Sequence, residues 1–242
     1  MRKRLLVFAP LLLVLTSSSR AESAPIVVSA DATVAGGLFA DVNFGSDDLG
    51  GGLLSGSDGS GLAGPYRFYL LFQLPVFIPN TSLSAASLYG FYSDDWDTFD
   101  DRSHSFYQAP STWTEAAITW NNQPGPIGGP VATFNAATAT PGTFQSWDLT
   151  AAVNAAYLTQ TSLFSLMLRA DDETLGVFPV LNNNLEFFAS REYLQGERAF
   201  RLEVELVPEP ATLVLVGTAL AGLLGLRRRA QAPRRRVPSG GD

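Results

Sequence analysis

Apolar and polar side chains alternate along several stretches of this chain, with the period of two that is typical of a half-buried β-strand. In YRFYLLFQL, residues 66–74, the phenylalanines and leucines at even positions face one way, while Arg67 and Tyr69 face the other. The segments LFSLMLR, residues 163–169, and FRLEVEL, residues 200–206, show the same alternation. The pattern therefore predicts three strands, each with one buried face.

Shorter segments of the same kind, separated by clusters of Gly, Pro, Asn and Asp, predict further strands. These are residues 26–34, 87–92, 105–108, 131–134, 143–149 and 185–189. In DLTAAVNAAYLT, residues 148–159, apolar residues instead recur at helical spacing, which predicts one short helix with Thr150 as its N-cap. Many short strands and a single helix predict an all-β fold, an antiparallel jelly-roll sandwich with the helix packed at a sheet edge or one end.

The N-terminal stretch MRKRLLVFAPLLLVLTSSSRA has the layout of a secretory signal peptide. It combines a basic start, a short apolar core and small residues leading to Ala21. A permanent N-terminal anchor is the alternative, which the short core disfavours. We therefore expect a signal peptide over residues 1–21 and an exported domain over residues 22–207.

A second apolar run lies in VPEPATLVLVGTALAGLLGLRRRAQ, residues 207–231. Its apolar part, residues 211–226, would span about 24 Å as a helix at ~1.5 Å per residue, whereas a hydrocarbon core of about 30 Å wants roughly 20 residues. The arginines that follow would hold its end in the cytoplasm. The prolines before it favour an extended, accessible segment. A transient anchor over residues 208–242 is predicted, with a permanent single-span anchor as the alternative.

Charge separates the body of the chain from its ends. Six arginines and 21 acids give residues 22–207 a net charge of −15, whereas the whole chain carries −7. Such an acidic body repels the closely spaced phosphates of nucleic acid, which argues against a DNA- or RNA-binding role. The chain contains no cysteine, so we expect a core that is stable without disulfides.

Four segments in order, YRFYLLFQLP, SLSAASLYGFY, WTEAAITWNNQP and SWDLTAAVNAAY, resemble the DNRLRE domain family. The most specific match is the W-x-E…T-W…P motif, carried by Trp113, Glu115, Thr119, Trp120 and Pro124. The resemblance implies a jelly-roll sandwich like those of carbohydrate-binding modules. Such domains occur in secreted and surface proteins, and some relatives are described as binding acidic polysaccharides.

The C-terminal run is similar to the PEP-CTERM sorting signal. The matching residues are Pro208, Glu209, Pro210, Arg227, Arg228 and Arg229. The resemblance implies a Gram-negative exporter, transient holding at the inner membrane and processing by an exosortase. The product would be delivered to the outer surface or the extracellular polysaccharide matrix.

An acidic run, SDDWDTFDD at residues 93–101, offers hard oxygen ligands at close spacing. It is interpreted as a solvated loop, as a calcium site, or as a source of paired catalytic carboxylates. The candidate calcium ligands are Asp94, Asp95, Asp97, Asp100 and Asp101. No cofactor other than calcium is suggested by the sequence.

Aromatic residues in and before the acidic run are candidates for stacking on sugar rings or for packing beneath the loop. They are Tyr92, Trp96 and Phe99. The only histidine, His104, is predicted to lie on the surface or at a strand end, without catalytic partners. The Gly-rich residues 47–64 are predicted to form a flexible loop.

The sequence thus predicts a non-enzymatic, surface-sorted protein that binds or is incorporated into extracellular polysaccharide. The alternative is a polysaccharide-degrading enzyme that uses the acidic loop carboxylates.

Overall fold

Eleven strands and one α-helix make up the part of the chain that the computed structural model describes, which is residues 24–45, 52–57, 62–75, 83–95, 103–173 and 185–206. The elements are β1 Ile26–Val27, β2 Ala30–Gly37, β3 Leu53–Ser55, β4 Ala63–Gln73, β5 Leu83–Asp95, β6 Ser103–Ala109, β7 Ile127–Asn135, β8 Thr143–Asp148, α1 Thr150–Leu158, β9 Leu163–Ala170, β10 Glu186–Phe188 and β11 Arg201–Leu206.

The strands form two sheets with antiparallel pairing. In sheet A the order is β1-β11-β5-β10-β3, and β8 also pairs with β5. In sheet B the order is β2-β4-β9-β6-β7. Along the chain from β3 to β6, successive strands alternate between the sheets, and β4 and β5 pair with the distant β9 and β11. This is the jelly-roll sandwich that the strand pattern predicts.

Strands β10 and β11 pair with successive parts of β5. Phe188 lies opposite Tyr92, and Arg201 lies opposite Tyr89 three residues along β5. The chain between them, residues 189–200, leaves the sheet and returns to the same side of β5. This excursion, which we call the β10–β11 loop, carries polar side chains to the surface beside the sandwich.

The core lies between the sheets, where the even-numbered side chains of β4 meet those of β11. Phe68, Leu70 and Phe72 are fully buried, as their alternation predicts. The ring centroid of Phe68 lies 5.6 Å from those of both Phe188 and Phe200, so rings from the two sheets touch directly. Each such ring contributes about 1.5–3 kcal/mol by burial.

A second, smaller core covers the outer face of sheet B. The segment between β6 and β7 carries Trp113 and Ile118 onto Val34, Tyr69 and Met167, all buried. The Trp113 indole also donates a hydrogen bond of 2.9 Å to Ser165 Oγ. The alternation pattern directs Tyr69 away from the main core, and it is buried nevertheless because this segment lies over it.

Two local predictions are wrong. Leu53 and Leu54 of β3 are buried in the middle of the predicted flexible loop, because they complete sheet A beside β10. Thr150 is the first residue of α1 and not its N-cap. The carboxylate of Asp148 accepts from both the N–H and the hydroxyl of Thr150, so the aspartate supplies the acceptor at the start of the helix.

The described residues all belong to one compact unit, Glu22–Val207. The predicted signal peptide and C-terminal sorting helix lie outside the described residues. Within the part of the chain that the structure covers, no helix is both long and apolar enough to cross a membrane.

Candidate functional site

Three of the residues predicted to contact sugar or calcium occupy β5, and their surroundings differ. Tyr92 is fully buried, and its hydroxyl donates to the carboxylate of Glu186 in the core. Its ring therefore has no face open to a sugar, because the inward side of β5 packs against sheet B. Asp94 is exposed, and Asp95 ends β5 opposite Glu186.

The remaining predicted residues lie outside the described part of the chain. They are Trp96, Phe99, Asp97, Asp100 and Asp101. Their assignment to sugar or calcium binding stays a prediction.

Of the two positions predicted for His104, a strand end is correct and the surface is not. His104 lies near the start of β6 but is fully buried, and its Nδ1 is 2.8 Å from Ser55 Oγ. Its Nε2 is 4.0 Å from Glu186 Oε1, too far for a hydrogen bond between these two atoms, so Ser55, His104 and Glu186 do not form the hydrogen-bonded chain of a hydrolase triad. All three are fully buried, so no substrate reaches them, and the group ties β3, β6 and β10 together inside the sandwich.

The outer face of sheet A carries an aromatic surface that the sequence analysis does not single out. The register places Phe91 of β5 opposite Phe144 of β8, and Tyr89 opposite Arg201 of β11. These four side chains point away from the core, because their neighbours Leu88 and Leu202 point into it. With Arg198 from the β10–β11 loop, they form what we call the arginine–aromatic face.

In the arginine–aromatic face, the guanidinium groups lie directly against the aromatic rings. The guanidinium of Arg201 lies 4.6 Å from the ring centroid of Phe144 and 4.9 Å from that of Tyr89. The guanidinium of Arg198 lies 4.1 Å above Phe91, and Phe91 meets Phe144 edge to face at 5.3 Å. Cation–π contacts of this kind hold both the rings and the charges in fixed positions.

The surface is open to solvent on its β8 side, whereas Phe91 on β5 is only 6% exposed beneath Arg198. Phe144 is 41% exposed, and Ser146 beside it on β8 is exposed as well. The side chain of Arg201 is 30% exposed and donates to Glu203 at 3.1 Å. An exposed ring beside guanidinium and hydroxyl groups can stack on the apolar face of a sugar while its neighbours bond hydroxyl or carboxylate groups.

A second arginine–aromatic group, on sheet B, is closed. Nε and Nη2 of Arg67 donate to the Glu173 carboxylate at 2.6 Å, Nη1 donates to Gln123 at 3.3 Å, and the guanidinium stacks 4.3 Å over Trp120. The Arg67 and Glu173 side chains are only 16% and 18% exposed. Since this arginine is bound within the domain, we regard it as a structural clamp for the segment that covers sheet B.

Three carboxylates from distant parts of the chain meet at the edge of sheet B, and we call them the carboxylate cluster. Oxygens of Asp31, Glu115 and Glu192 all lie within 4.8 Å of one another. Asp31 is in the edge strand β2, Glu115 in the segment that covers sheet B, and Glu192 in the β10–β11 loop. Arg191 Nη2 lies 2.8 Å from Glu115 Oε2, and its Nε lies 2.7 Å from Glu192 Oε1.

The pKa values of two carboxylates in the cluster, Asp31 and Glu115, are raised. Burial raises the pKa of Asp31 to about 7; the N–H of Arg191 lowers it, and the charges of Glu192 and Glu115 raise it. Burial also raises the pKa of Glu115, which Arg191 counteracts. Burial and mutual repulsion thus disfavour the ionised forms of Asp31 and Glu115 in the absence of a further positive charge.

Two family models match the sequence. The model of carbohydrate-binding module family 96 matches residues 22–180, and that of the PEP-CTERM protein-sorting motif matches residues 206–229. Among curated proteins, no sequence matches this chain. The first match covers more than half of the chain and the whole of the region from β1 to β9, which includes most of the sandwich. This chain belongs to carbohydrate-binding module family 96 and carries a PEP-CTERM sorting motif at its C-terminal end.

Proposed function

We propose that this chain is an exported, non-catalytic protein that binds extracellular polysaccharide through the arginine–aromatic face of sheet A. The observation that carries the proposal is the pairing of an exposed ring, Phe144, with the guanidinium of Arg201 on an otherwise regular sheet. Membership of a carbohydrate-binding family supports the ligand class.

The two arginines favour a polysaccharide that contains carboxylated sugars. The guanidinium of Arg198 lies over Phe91, that of Arg201 lies over Phe144, and the two rings are in contact. A planar guanidinium bonds a carboxylate with two parallel hydrogen bonds while its face stays on a ring. Trp96 and Phe99 follow β5 directly in the sequence, and we include them in the proposed ligand-binding surface.

The C-terminal motif supports the proposed destination. In this account an exosortase-type enzyme cuts near residues 208–210 after the inner membrane has held the chain transiently. The folded domain then reaches the outer surface or the extracellular polysaccharide matrix of a Gram-negative bacterium.

Binding is tested by affinity electrophoresis of the full chain through gels that contain neutral or uronate polysaccharides. The proposal expects retardation in uronate gels, and weaker retardation as salt is added, because screening reduces the attraction between guanidinium and carboxylate. Equal mobility in every gel would contradict it.

The non-catalytic part of the proposal needs a separate assay. The same polysaccharides are incubated with the chain and examined for new reducing ends or unsaturated sugars. We expect neither. Activity that disappears in Asp95→Asn or Asp97→Asn would instead establish the polysaccharide-degrading alternative.

A further inference from the structure

The carboxylate cluster contains a buried oxygen whose hydrogen bonding is incomplete. Asp31 is 1% exposed, and its Oδ2 accepts from the N–H of Arg191 at 2.8 Å. Among the described residues, its Oδ1 has no hydrogen-bond partner, and neither has Glu115 Oε1. A buried carboxylate oxygen without a partner is strongly unfavourable, so the arrangement points to a group that these oxygens bind.

The charge of the cluster indicates a divalent cation. With all three carboxylates ionised, three negative charges face the single guanidinium of Arg191. Two negative charges remain, and one divalent ion balances them. Arg191 contacts Oε2 of Glu115, so Oε1 of Glu115 is available to bind a cation.

The chemical type of the candidate ligand atoms indicates which ion can bind. Every candidate ligand is a carboxylate oxygen, which suits hard cations and not zinc or copper. Three carboxylate oxygens within 4.8 Å of one another can all bind one Ca²⁺ at about 2.3–2.6 Å. Calcium accepts irregular arrangements of carboxylates, whereas Mg²⁺ demands near-octahedral geometry and gives up its water reluctantly, so Ca²⁺ suits ligands from three separate segments better.

We propose that Asp31, Glu115 and Glu192 bind one Ca²⁺ at the edge of sheet B, with water completing its coordination. The ion joins β2 to the segment that covers sheet B and to the β10–β11 loop. Since that loop also carries Arg198, calcium would fix one end of the arginine–aromatic face. The site is distinct from the acidic run at residues 93–101.

The experiment titrates the full chain with CaCl₂ after treatment with EDTA, by calorimetry and by thermal unfolding. We expect one Ca²⁺ per chain, a Kd of about 10⁻⁴ to 10⁻³ M as in other extracellular modules, and a Tm that rises with calcium. Asp31→Asn and Glu192→Gln should each weaken binding at least about tenfold. MgCl₂ at the same concentrations should bind more weakly.

Glu197→Gln is the matched control, because Glu197 is an exposed glutamate in the same loop and outside the cluster. It should bind calcium as the unaltered chain does. Glu192 is exposed, so Glu192→Gln keeps the fold and decides the question even if Asp31→Asn does not fold. No heat and no change in Tm, or unchanged binding in Glu192→Gln, would overturn the proposal. So would binding that is lost only when Asp97, Asp100 and Asp101 are all replaced by Asn.

Discussion

Arg201 and Phe144 come from strands on opposite sides of β5, yet the guanidinium of one lies 4.6 Å from the ring centroid of the other. The side chain of Arg201 crosses β5, and its guanidinium also lies over the ring of Tyr89 on that strand. A single arginine therefore joins three strands on the outer face of sheet A and holds an exposed ring at a fixed angle to the surface.

Replacing Arg201 by lysine tests whether binding needs the planar guanidinium or only its positive charge. Arg201→Lys keeps the positive charge but loses the planar group that stacks on Phe144 and bonds a carboxylate in two places. We expect binding to uronate polysaccharide to weaken about tenfold, measured by affinity electrophoresis.

The control is Arg169→Lys, since Arg169 is also 30% exposed and stacks 4.7 Å over Tyr107, but on sheet B. It should leave binding unchanged. If both variants bind as the unaltered chain does, the outer face of sheet A is not the binding surface.

Gly90 should tolerate no side chain. A Cβ added there would lie 2.1 Å from the Phe200 ring, because that ring packs directly against the β5 backbone. Gly90→Ala should lower the free energy of unfolding by about 1–3 kcal/mol, through displacement of Phe200 from the core. Urea unfolding measures the change. Gly129→Ala, where a Cβ would meet no atom within 4 Å, should cost far less; equal losses would contradict the packing described.

The start of α1 should depend on the charge of Asp148. Hydrogen bonds from the Thr150 hydroxyl and N–H lower the pKa of this carboxyl below its ordinary value. A group with a lowered pKa in the folded state stabilises the fold at neutral pH and loses that effect as the pH falls through the folded pKa.

Asp148→Ala should therefore lower the Tm at pH 7. The difference in Tm between the two proteins should shrink on acidification below about pH 4, the ordinary range of an aspartate. A difference that stays constant down to low pH would show that the carboxylate charge is not involved.

The C-terminal motif predicts how the mature protein ends. Mass spectrometry of the protein from its native host should give a C-terminus near residues 208–210, because an exosortase would remove the apolar run and its arginines. Replacing Arg227, Arg228 and Arg229 together with Arg234, Arg235 and Arg236 by Ala should leave the chain unprocessed, since no positive charge would then hold its end in the cytoplasm. An intact arginine segment in the mature protein would indicate a permanent anchor.

Period-two alternation was sufficient to predict the sandwich. In a strand with one buried face, the inward-facing residues are apolar and the outward-facing residues are mostly polar, so the sequence shows which face is buried. Phe68, Leu70 and Phe72 of β4 and Leu202 and Val204 of β11 are buried as predicted. The alternation did not predict the burial of Tyr69 or His104, which depends on segments far away in sequence. Alternation describes one strand and cannot show what packs on its other face.

The candidate sites were harder to predict for a related reason. Asp31, Glu115 and Glu192 are scattered along the chain, and only the fold brings them together, whereas the local run at residues 93–101 is conspicuous in sequence. The sequence did contain a sign of the arginine–aromatic face, because Tyr89 and Phe91 alternate with the inward-facing Leu88 and Tyr92 and so point to the outer face of β5. Large rings on a predicted solvent face indicate a surface that binds something.

The most direct test of the account compares two phenylalanines of equal exposure. Phe144 is 41% exposed on the arginine–aromatic face, and Phe39 is 39% exposed after β2. Affinities of Phe144→Ala and Phe39→Ala for uronate polysaccharide should be measured together with their Tm values. We predict that Phe144→Ala loses at least about tenfold in affinity with little change in Tm, because it removes the stacking ring, and that Phe39→Ala binds normally. Normal binding by Phe144→Ala would contradict the claim that this face holds the polysaccharide.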